Sequence, residues 1–322
     1  MEAAHNVVSK VLIIDDGNAQ TLDQIKSFCA ENDLIGVKTH SDNVMTVLKS
    51  NVDLGGVLLS ESYHDSPTGG IELGLKIHKA RPELPIFLRR HHEASLDSLP
   101  ARAQSSFCAA YHINDMEGLK RSLKDFIFSY YFPNTMVRGI QRITEDAMLV
   151  YLRRFSLACD APYIVKDSIV CGEVFTLVPL ESKWCRGYMM LQSENRAIRT
   201  ESASHDPYVK PKLSRVSDVL GEITNMVWGS FKSNYVGDEY RTLMSQIQVP
   251  MLVMLDEKNI SFGSSTPQLC FKYTLTDLDD QSAPPVKIYQ RLVFNLSWSP
   301  EDFKEVQVST EELVDAGELE LF

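Results

Sequence analysis

The sequence lacks several features that define familiar protein classes. None of its six cysteines forms a C-x-x-C pair, and no histidines stand at a matching spacing, so a zinc site is not expected and the thiols are predicted to be reduced. No apolar run approaches the roughly 18 residues that span a bilayer, and MEAAHNVVSK is not a charged leader followed by an apolar segment. No basic stripe is present that could neutralise several phosphates. We therefore expect a cytoplasmic protein with no membrane span and no nucleic-acid partner.

Length and composition indicate a folded chain with room for two domains. The 322 residues are 44% hydrophobic, which can supply a core for each of two domains of ordinary size. The formal net charge is -11, but residues 301–322 hold eight acidic residues against one basic residue, Lys304. The chain before this acidic tail is therefore only mildly acidic, and a protein partner is expected. The tail is predicted to be either a solvated end or a segment that folds on contact.

The first 130 residues alternate short apolar segments with helical patterns. Segments such as KVLII, GGVLLS and LPIFL show no alternation of polar and apolar residues, and helical patterns such as AQTLDQIKSFCAEN and GIELGLKIHKA lie between them. This pattern predicts a five-stranded parallel sheet covered on both faces, an α/β flavodoxin-like fold. Pro133 lies between two helical patterns, so we assign the first domain to residues 1–132.

The ends of these predicted strands resemble a response-regulator receiver domain, with departures. Asp15 and Asp16 stand where receivers hold Mg²⁺, so the resemblance implies at most a weak metal site there. Ser60 stands in place of the phospho-accepting aspartate, Arg89 in place of Thr or Ser, and Asn114 where receivers have Lys-Pro. An acyl phosphate needs a carboxylate nucleophile, and Ser60 has no adjacent general base. We therefore expect a pseudo-receiver that is not phosphorylated and serves docking or dimerisation.

Residues 133–300 are predicted to form an α+β domain. Apolar residues recur at helical spacing through 136–157, up to Phe155, and strand-like segments such as GEVFTL, RGYMML, VPMLVML and CFKYTLTD follow. Long helices interleaved with hairpin-like strands favour helices packed on a largely antiparallel sheet. The segment IYQRLVFNLSW is a candidate edge strand of this sheet.

A second helix of this domain contains the stretch DVLGEITNMVWG, residues 218–229. Its apolar residues fall on one stripe, and Trp228 lies on the shoulder of that stripe, where packing is its expected role. Glu222 and Asn225 point together to the opposite side, one helical turn apart. Gly221 and Gly229 flank them, although each glycine costs a helix roughly 1 kcal/mol relative to alanine. This indicates that something approaches the backbone closely.

The same stretch closely resembles the D-x-x-x-E-x-x-N-M-x-x-G segment of the CheC/CheX/FliY phosphatases, which dephosphorylate the chemotaxis receiver. The resemblance extends over residues 136–297 and is best for the CheX type, since only one E-x-x-N helix is present. On the earlier helix, Met148 stands where an asparagine would complete a second site, which implies one site per chain. Ser230, where the family often has Asn, is a departure. Members of this family often pair their sheets into dimers, so the resemblance also implies a possible homodimer, for which IYQRLVFNLSW could supply an edge strand.

The resemblance implies a mechanism in which the helix enters a partner receiver that carries phosphoaspartate and Mg²⁺. Asn225 would hold a water in line with the phosphorus, and Glu222 would pair with the partner's lysine. Asp218, Gly221 and Gly229 would contribute to docking. The protein would need no cofactor of its own, because the Mg²⁺ comes with the phosphorylated partner.

Two other functions remain open from the sequence. The principal one is a noncatalytic adaptor, which would not require the Glu222 and Asn225 pair. The receiver-like wing of the basic amino-acid decarboxylases, which LPIFLRR also resembles, likewise serves contacts rather than chemistry. The other is a regulator phosphorylated at an irregular position, Glu61 or Asp65.

Overall fold

The computed structural model describes eleven stretches of the chain: 7–15, 19–39, 44–51, 53–64, 66–82, 84–166, 172–194, 197–200, 212–236, 251–254 and 266–303. Asp16, Asp65 and residues 304–322 of the predicted tail lie outside them. Within the described part, no helix has the length and apolar character needed to cross a bilayer.

The N-terminal half forms a parallel sheet in the predicted flavodoxin-like order. Its strands run β2-β1-β3-β4-β5, and every pairing is parallel. All seven residues of the third strand are buried, as expected for a sheet covered on both faces. The strands are β1 (Ser9–Ile14), β2 (Leu34–Lys38), β3 (Leu54–Ser60), β4 (Ile86–Arg90) and β5 (Ala109–His112). The helices are α1 (Ala19–Glu31), α2 (Val44–Ser50), α3 (Gly69–Ala80), α4 (Ala101–Gln104) and α5 (Met116–Phe126).

The two faces of this sheet belong to separate apolar clusters. Ile13 and Leu58 pack with residues of α1 and α5, whereas Leu12 and Leu59 pack with residues of α2 and α3. Because successive strand residues point to opposite faces, continuous apolar runs supply both clusters at once. The predicted α/β layering is therefore confirmed.

The C-terminal half is a mixed α+β arrangement with an antiparallel sheet. Its six main strands follow the order β12-β8-β9-β14-β13-β6, and a short strand, β7, also pairs with β13. Two long helices, α6 (Asn134–Tyr151) and α7 (Val216–Tyr235), pack on one face. The strands are β6 (Phe155–Cys159), β7 (Tyr163–Val165), β8 (Val174–Glu181), β9 (Cys185–Ser193), β12 (Met251–Met254), β13 (Gln268–Asp277) and β14 (Val286–Trp298). A separate two-stranded antiparallel sheet consists of β10 (Ala197–Thr200) and β11 (Lys212–Arg215), and Pro300–Asp302 form a single 3₁₀ turn.

Two expectations about this half are wrong. The segment IYQRLVFNLSW belongs to β14, which pairs with β9 on one side and β13 on the other, so it is an interior strand of the described sheet and not the predicted edge strand. The helix predicted for residues 136–157 ends at Tyr151, and Phe155 begins β6. A turn intervenes, in which Arg154 pairs with Asp277 of the adjacent strand β13 at 3.2 Å. Phe155 is buried at helical spacing from Tyr151, which is why the pattern alone misplaced it.

The two sheets are connected by backbone hydrogen bonds at the amino ends of the parallel strands. The Val8 N–H donates to the Pro162 carbonyl at 2.9 Å, and the Ile164 N–H donates to the Val8 carbonyl at 2.8 Å. One apolar cluster extends continuously from the first sheet to the second across the predicted boundary near residue 132. The limits of the two domains therefore stay a prediction.

Candidate functional site

The helix that carries the E-x-x-N pair begins with an acidic residue bound to its own N-terminus. The Asp218 carboxylate accepts hydrogen bonds from the Arg215 backbone N–H and the Ser217 hydroxyl, both at 3.4 Å. A carboxylate in the first turn also interacts favourably with the helix dipole. Asp218 is exposed, so it starts α7 and remains accessible to a partner.

The inner side of α7 is the apolar stripe expected from the sequence, with one difference. Its members are buried, except Met226, which is only partly covered and lines a groove between α6 and α7. Trp228 is buried and stacks on Phe231 with ring centroids 5.9 Å apart, so it packs as predicted. The buried members are Val216, Val219, Leu220, Ile223, Val227 and Phe231.

The outer side of α7 presents Glu222 and Asn225 to solvent. Both side chains are exposed, and helical geometry places them one turn apart. A methyl group built on Gly221 or Gly229 would meet nothing within 4 Å, so the backbone of this face is open to a close approach. In the described part of the chain, no hydrogen-bond partner is found for the Asn225 amide.

Glu222 differs from Asn225 because α6 contributes a partner for it. The Tyr151 hydroxyl donates a hydrogen bond to Glu222 Oε2 at 3.2 Å. Burial raises the pKa of the Tyr151 hydroxyl above its usual value, and the negative charge and hydrogen bond of Glu222 raise it further. The tyrosine is therefore a neutral donor over the whole physiological range. Sequence reasoning missed Tyr151, because 71 residues separate it from Glu222.

Buried threonines fix the rotation of both helices on the sheet. Thr224 of α7 lies with its hydroxyl 2.6 Å from that of Thr176 on β8. Thr144 of α6 bonds the Gln290 side chain of β14, whose oxygen also accepts from Tyr273 at 3.0 Å. With Thr224 held inward, Glu222 projects from the opposite side of the helix, and Asn225, one turn away from Glu222, is exposed with it.

The same threonines give a structural register between the two helices. Both follow an isoleucine, in the pairs at 143–144 and 223–224, a signal that was present in the sequence. Aligned on them, Arg142 and Glu145 of α6 correspond to Glu222 and Asn225. The family resemblance had placed Met148 where a second asparagine would stand. Met148 is fully buried, so it does not occupy an outward-facing position like that of Asn225. Neither of the two aligned positions of α6 holds a carboxamide, and the neighbouring Gln141 amide donates to Glu145 Oε1 at 2.8 Å.

An open groove of about 790 Å³ runs between the antiparallel helices α6 and α7. Arg142, Asp146 and Val150 line it from α6, and Met226 and Gly229 line it from α7. Val150 is 49% exposed, as is the adjacent Leu149 at 47%. The Glu222 side of α7 is thus bordered by a surface with apolar as well as charged groups.

The predicted degenerate receiver site contains a buried ion pair. Arg89 Nε and Nη2 donate to the two oxygens of Asp15 at 2.5 and 2.8 Å, and Nη2 also donates to Ser60 Oγ at 2.9 Å. All three side chains are buried. Asn114 is exposed, and its backbone N–H donates to the His112 ring, so its side chain does not join the group. Asp16 lies outside the described residues, which contain no cluster of three or more potential metal ligands.

Other side chains extend this group toward the surface. Ser60 Oγ lies 3.3 Å from Ser62 Oγ, which lies 3.0 Å from the Nε2 atom of His91. The Glu61 carboxylate pairs with Arg90 at 3.1 Å. At the carboxyl end of the sheet, the guanidinium of Arg89 thus lies against the Asp15 carboxylate. This is the place where the sequence suggested a weakly bound metal ion.

Comparisons with known proteins give structural neighbours only. Neither a scan against protein-family models nor a search of the curated proteins gives a match. Among solved structures, a response regulator receiver domain protein from Clostridium thermocellum is similar at 16% identity and TM-score 0.32, over 37% of this chain and 93% of that one. NtrX from Brucella abortus is similar at 15% identity and TM-score 0.29, over 45% of this chain and 35% of that one. Chemotaxis protein CheX from Vibrio vulnificus is similar at 17% identity and TM-score 0.27, over 48% of this chain and 96% of that one.

Proposed function

We propose that the outer face of α7 hydrolyses phosphoaspartate on the receiver domain of a partner response regulator. The observation that carries this proposal is the joint exposure of Glu222 and Asn225 on one open helical face. These residues match the segment that resembles the CheX-type phosphatases. Had either side chain been packed against its own sheet, this proposal would have had no physical basis.

In the proposed reaction, the protein positions groups and forms no covalent intermediate. The Asn225 amide accepts a hydrogen bond from a water and donates one to a phosphoryl oxygen, which places the water in line with the phosphorus. The water oxygen forms a bond to phosphorus as the bond to the aspartate oxygen breaks, which releases phosphate and restores the partner's carboxylate. Glu222 pairs with a lysine of the partner and fixes the docking register. The Mg²⁺ that balances the phosphoryl charge belongs to the phosphorylated substrate.

The two glycines of the face support the docking step. Gly221 and Gly229 stand on α7 with open space where a side chain would project. Each glycine lowers helix stability by roughly 1 kcal/mol relative to alanine, so helix propensity does not explain why glycine stands at these positions. Close approach of a partner's backbone to α7 supplies a reason.

In the same proposal, the N-terminal sheet serves docking or dimerisation. Ser60 offers no carboxylate, and the buried Arg89 guanidinium is bonded to both Asp15 and Ser60. This arrangement also fits the alternative function, a noncatalytic adaptor whose two halves both make protein contacts. The two functions differ in what they require of Asn225.

The decisive experiment measures decay of purified phosphorylated receivers in the presence of the full-length protein. We expect the wild-type chain to accelerate loss of phosphate, and Asn225→Ala and Glu222→Ala to lose most of that acceleration. Asn134→Ala and Glu117→Ala serve as matched controls, because both residues are exposed on other surfaces. Binding of a receiver without acceleration by any of the proteins would favour the adaptor.

A further inference from the structure

The two members of the E-x-x-N pair are held differently. The Asn225 amide has no bonded partner in the described part of the chain, whereas Glu222 Oε2 accepts a hydrogen bond from the Tyr151 hydroxyl at 3.2 Å. Glutamate has three rotatable side-chain bonds, so an exposed carboxylate without a partner samples many positions. A bond from a second helix restricts Glu222 before any partner arrives.

The backbone that carries Tyr151 is itself well fixed. Tyr151 is the last residue of α6, and the following N–H, that of Leu152, closes the final turn on the Met148 carbonyl at 2.8 Å. Leu152 and Met148 are both buried in the apolar cluster beneath the helices. The hydroxyl of Tyr151 is thus presented to Glu222 from a rigid element rather than from a loop.

The chemistry of the donor suits a carboxylate that must still bind something else. A lysine or arginine at position 151 would neutralise Glu222, but a tyrosine hydroxyl is uncharged and donates one hydrogen bond. It orients Oε2 and leaves the negative charge and Oε1 available for a cationic group of a docking partner. We propose that Tyr151 is a positioning residue that sets the direction of the Glu222 carboxylate for partner docking, which rests on the function proposed above.

The contact itself can be tested without any enzymatic assay. The full-length protein carrying ¹³Cζ-labelled tyrosine is titrated by NMR, with Tyr151 assigned through Tyr151→Phe. Because the charge and hydrogen bond of Glu222 contribute to the raised pKa of this hydroxyl, Glu222→Gln should lower it. An unchanged titration of Tyr151 in Glu222→Gln would show that the contact is absent and would overturn the proposal.

The positioning role is tested by the decay of phosphorylated receivers. Loss of one hydrogen bond to a carboxylate predicts that Tyr151→Phe lowers kcat/KM by about three- to tenfold, mainly through a higher KM. In a Glu222→Ala background the same change should have no further effect, whereas general damage to the fold would lower activity in both backgrounds. Tyr131→Phe is the matched control, because Tyr131 is 70% exposed in the segment before α6.

The outcomes separate this role from the proposed function. If the wild-type protein accelerates decay and Tyr151→Phe is indistinguishable from it, the positioning role is overturned and the phosphatase function stands. If the wild type accelerates the decay of no receiver, the phosphatase function fails and this role fails with it, even where the NMR titration confirms the contact. Equal losses from Tyr151→Phe with and without Glu222 would also overturn the positioning role.

Discussion

The hydroxyl groups of Thr176 and Thr224 lie 2.6 Å apart between β8 and α7, with both side chains fully buried. Thr224 also donates back to the Leu220 carbonyl within its own helix at 2.6 Å. Rotation of the helix would separate the two hydroxyls and leave the buried Thr176 hydroxyl with only a 3.5 Å contact to the Leu191 carbonyl, so the pair favours one rotation. The outward direction of Glu222 and Asn225 is therefore determined on the opposite side of α7.

The first prediction concerns this threonine pair. Thr224→Val preserves shape but leaves the Thr176 hydroxyl poorly satisfied, so it should lower the free energy of unfolding by about 1–3 kcal/mol. Replacing both threonines with valine should cost less than this single change, because no unpaired hydroxyl remains. Urea unfolding of the two single variants and the double variant measures the coupling. Strictly additive losses would contradict the account of the pair.

The second prediction concerns the ion pair of Arg89 with Asp15. Arg89→Met removes the guanidinium and leaves a buried carboxylate without its cation, so it should lower the free energy of unfolding by about 3–5 kcal/mol. Combining it with Asp15→Asn removes the stranded charge and should recover part of that loss. Lys26→Met, which breaks only an exposed pair with Asp23 at 3.3 Å, is the control and should change stability by under about 1 kcal/mol. A double variant as unstable as Arg89→Met alone would contradict this explanation.

The parts of the fold that follow from local pattern could be predicted from the sequence. The buried run of β3 and the apolar stripe of α7 both arise from the period of side chains along one element, so the parallel sheet and the outward face of α7 were accessible. The pairing of Arg89 with Asp15 was not, because the two residues are 74 apart in sequence and their strands, β4 and β1, are separated in the sheet by β3. The sequence identified Arg89 as a departure from receivers, but its hydrogen-bond partners required the structure.

The end of α6 shows a different limit. Phe155 lies four residues after Tyr151 and is apolar, so periodicity extends the helix through it. In the structure, Leu152 leaves helical geometry, and Phe155 is buried from a strand rather than from a helix. An apolar residue fits both arrangements, and the ion pair of Arg154 with Asp277 that accompanies the turn is a tertiary contact. Tyr151 is the last residue of α6, and its hydroxyl lies beside Glu222. The sequence could not indicate this contact.

The third prediction concerns stability at alkaline pH. Burial raises the pKa of Cys29 from 9.0 to about 11 and that of Cys108 and Cys185 to about 12. Above pH 9 the unfolded chain loses these protons while the folded chain keeps them, so folding becomes less favourable as pH rises. The free energy of unfolding should therefore fall between pH 9 and about pH 12, with the thiol contribution fully present below pH 9. Urea unfolding at pH 8 and pH 10 measures this fall, and Cys185→Ala should reduce it.

The fourth prediction separates stability from function at the open face of α7. Gly229→Ala meets no atom within 4 Å, so it should raise the free energy of unfolding by about 0.5–1 kcal/mol through helix propensity. Gly139→Ala is a contrasting glycine change, because its methyl group would collide with the Tyr235 hydroxyl and should destabilise the protein. Both values come from urea unfolding of the full chain.

If a partner's backbone approaches this face, the same Gly229→Ala protein should dephosphorylate receivers more slowly although it is more stable. Gly229→Leu should lower the rate further, because a larger side chain would hold the partner farther from Asn225. If a variant loses both activity and stability, damage to the fold explains the loss of activity. If it loses activity while its stability rises, the loss must come from the contact between α7 and the partner. Full activity in Gly229→Leu would show that no partner comes close to α7 at this point, and the docking geometry proposed here would then be wrong.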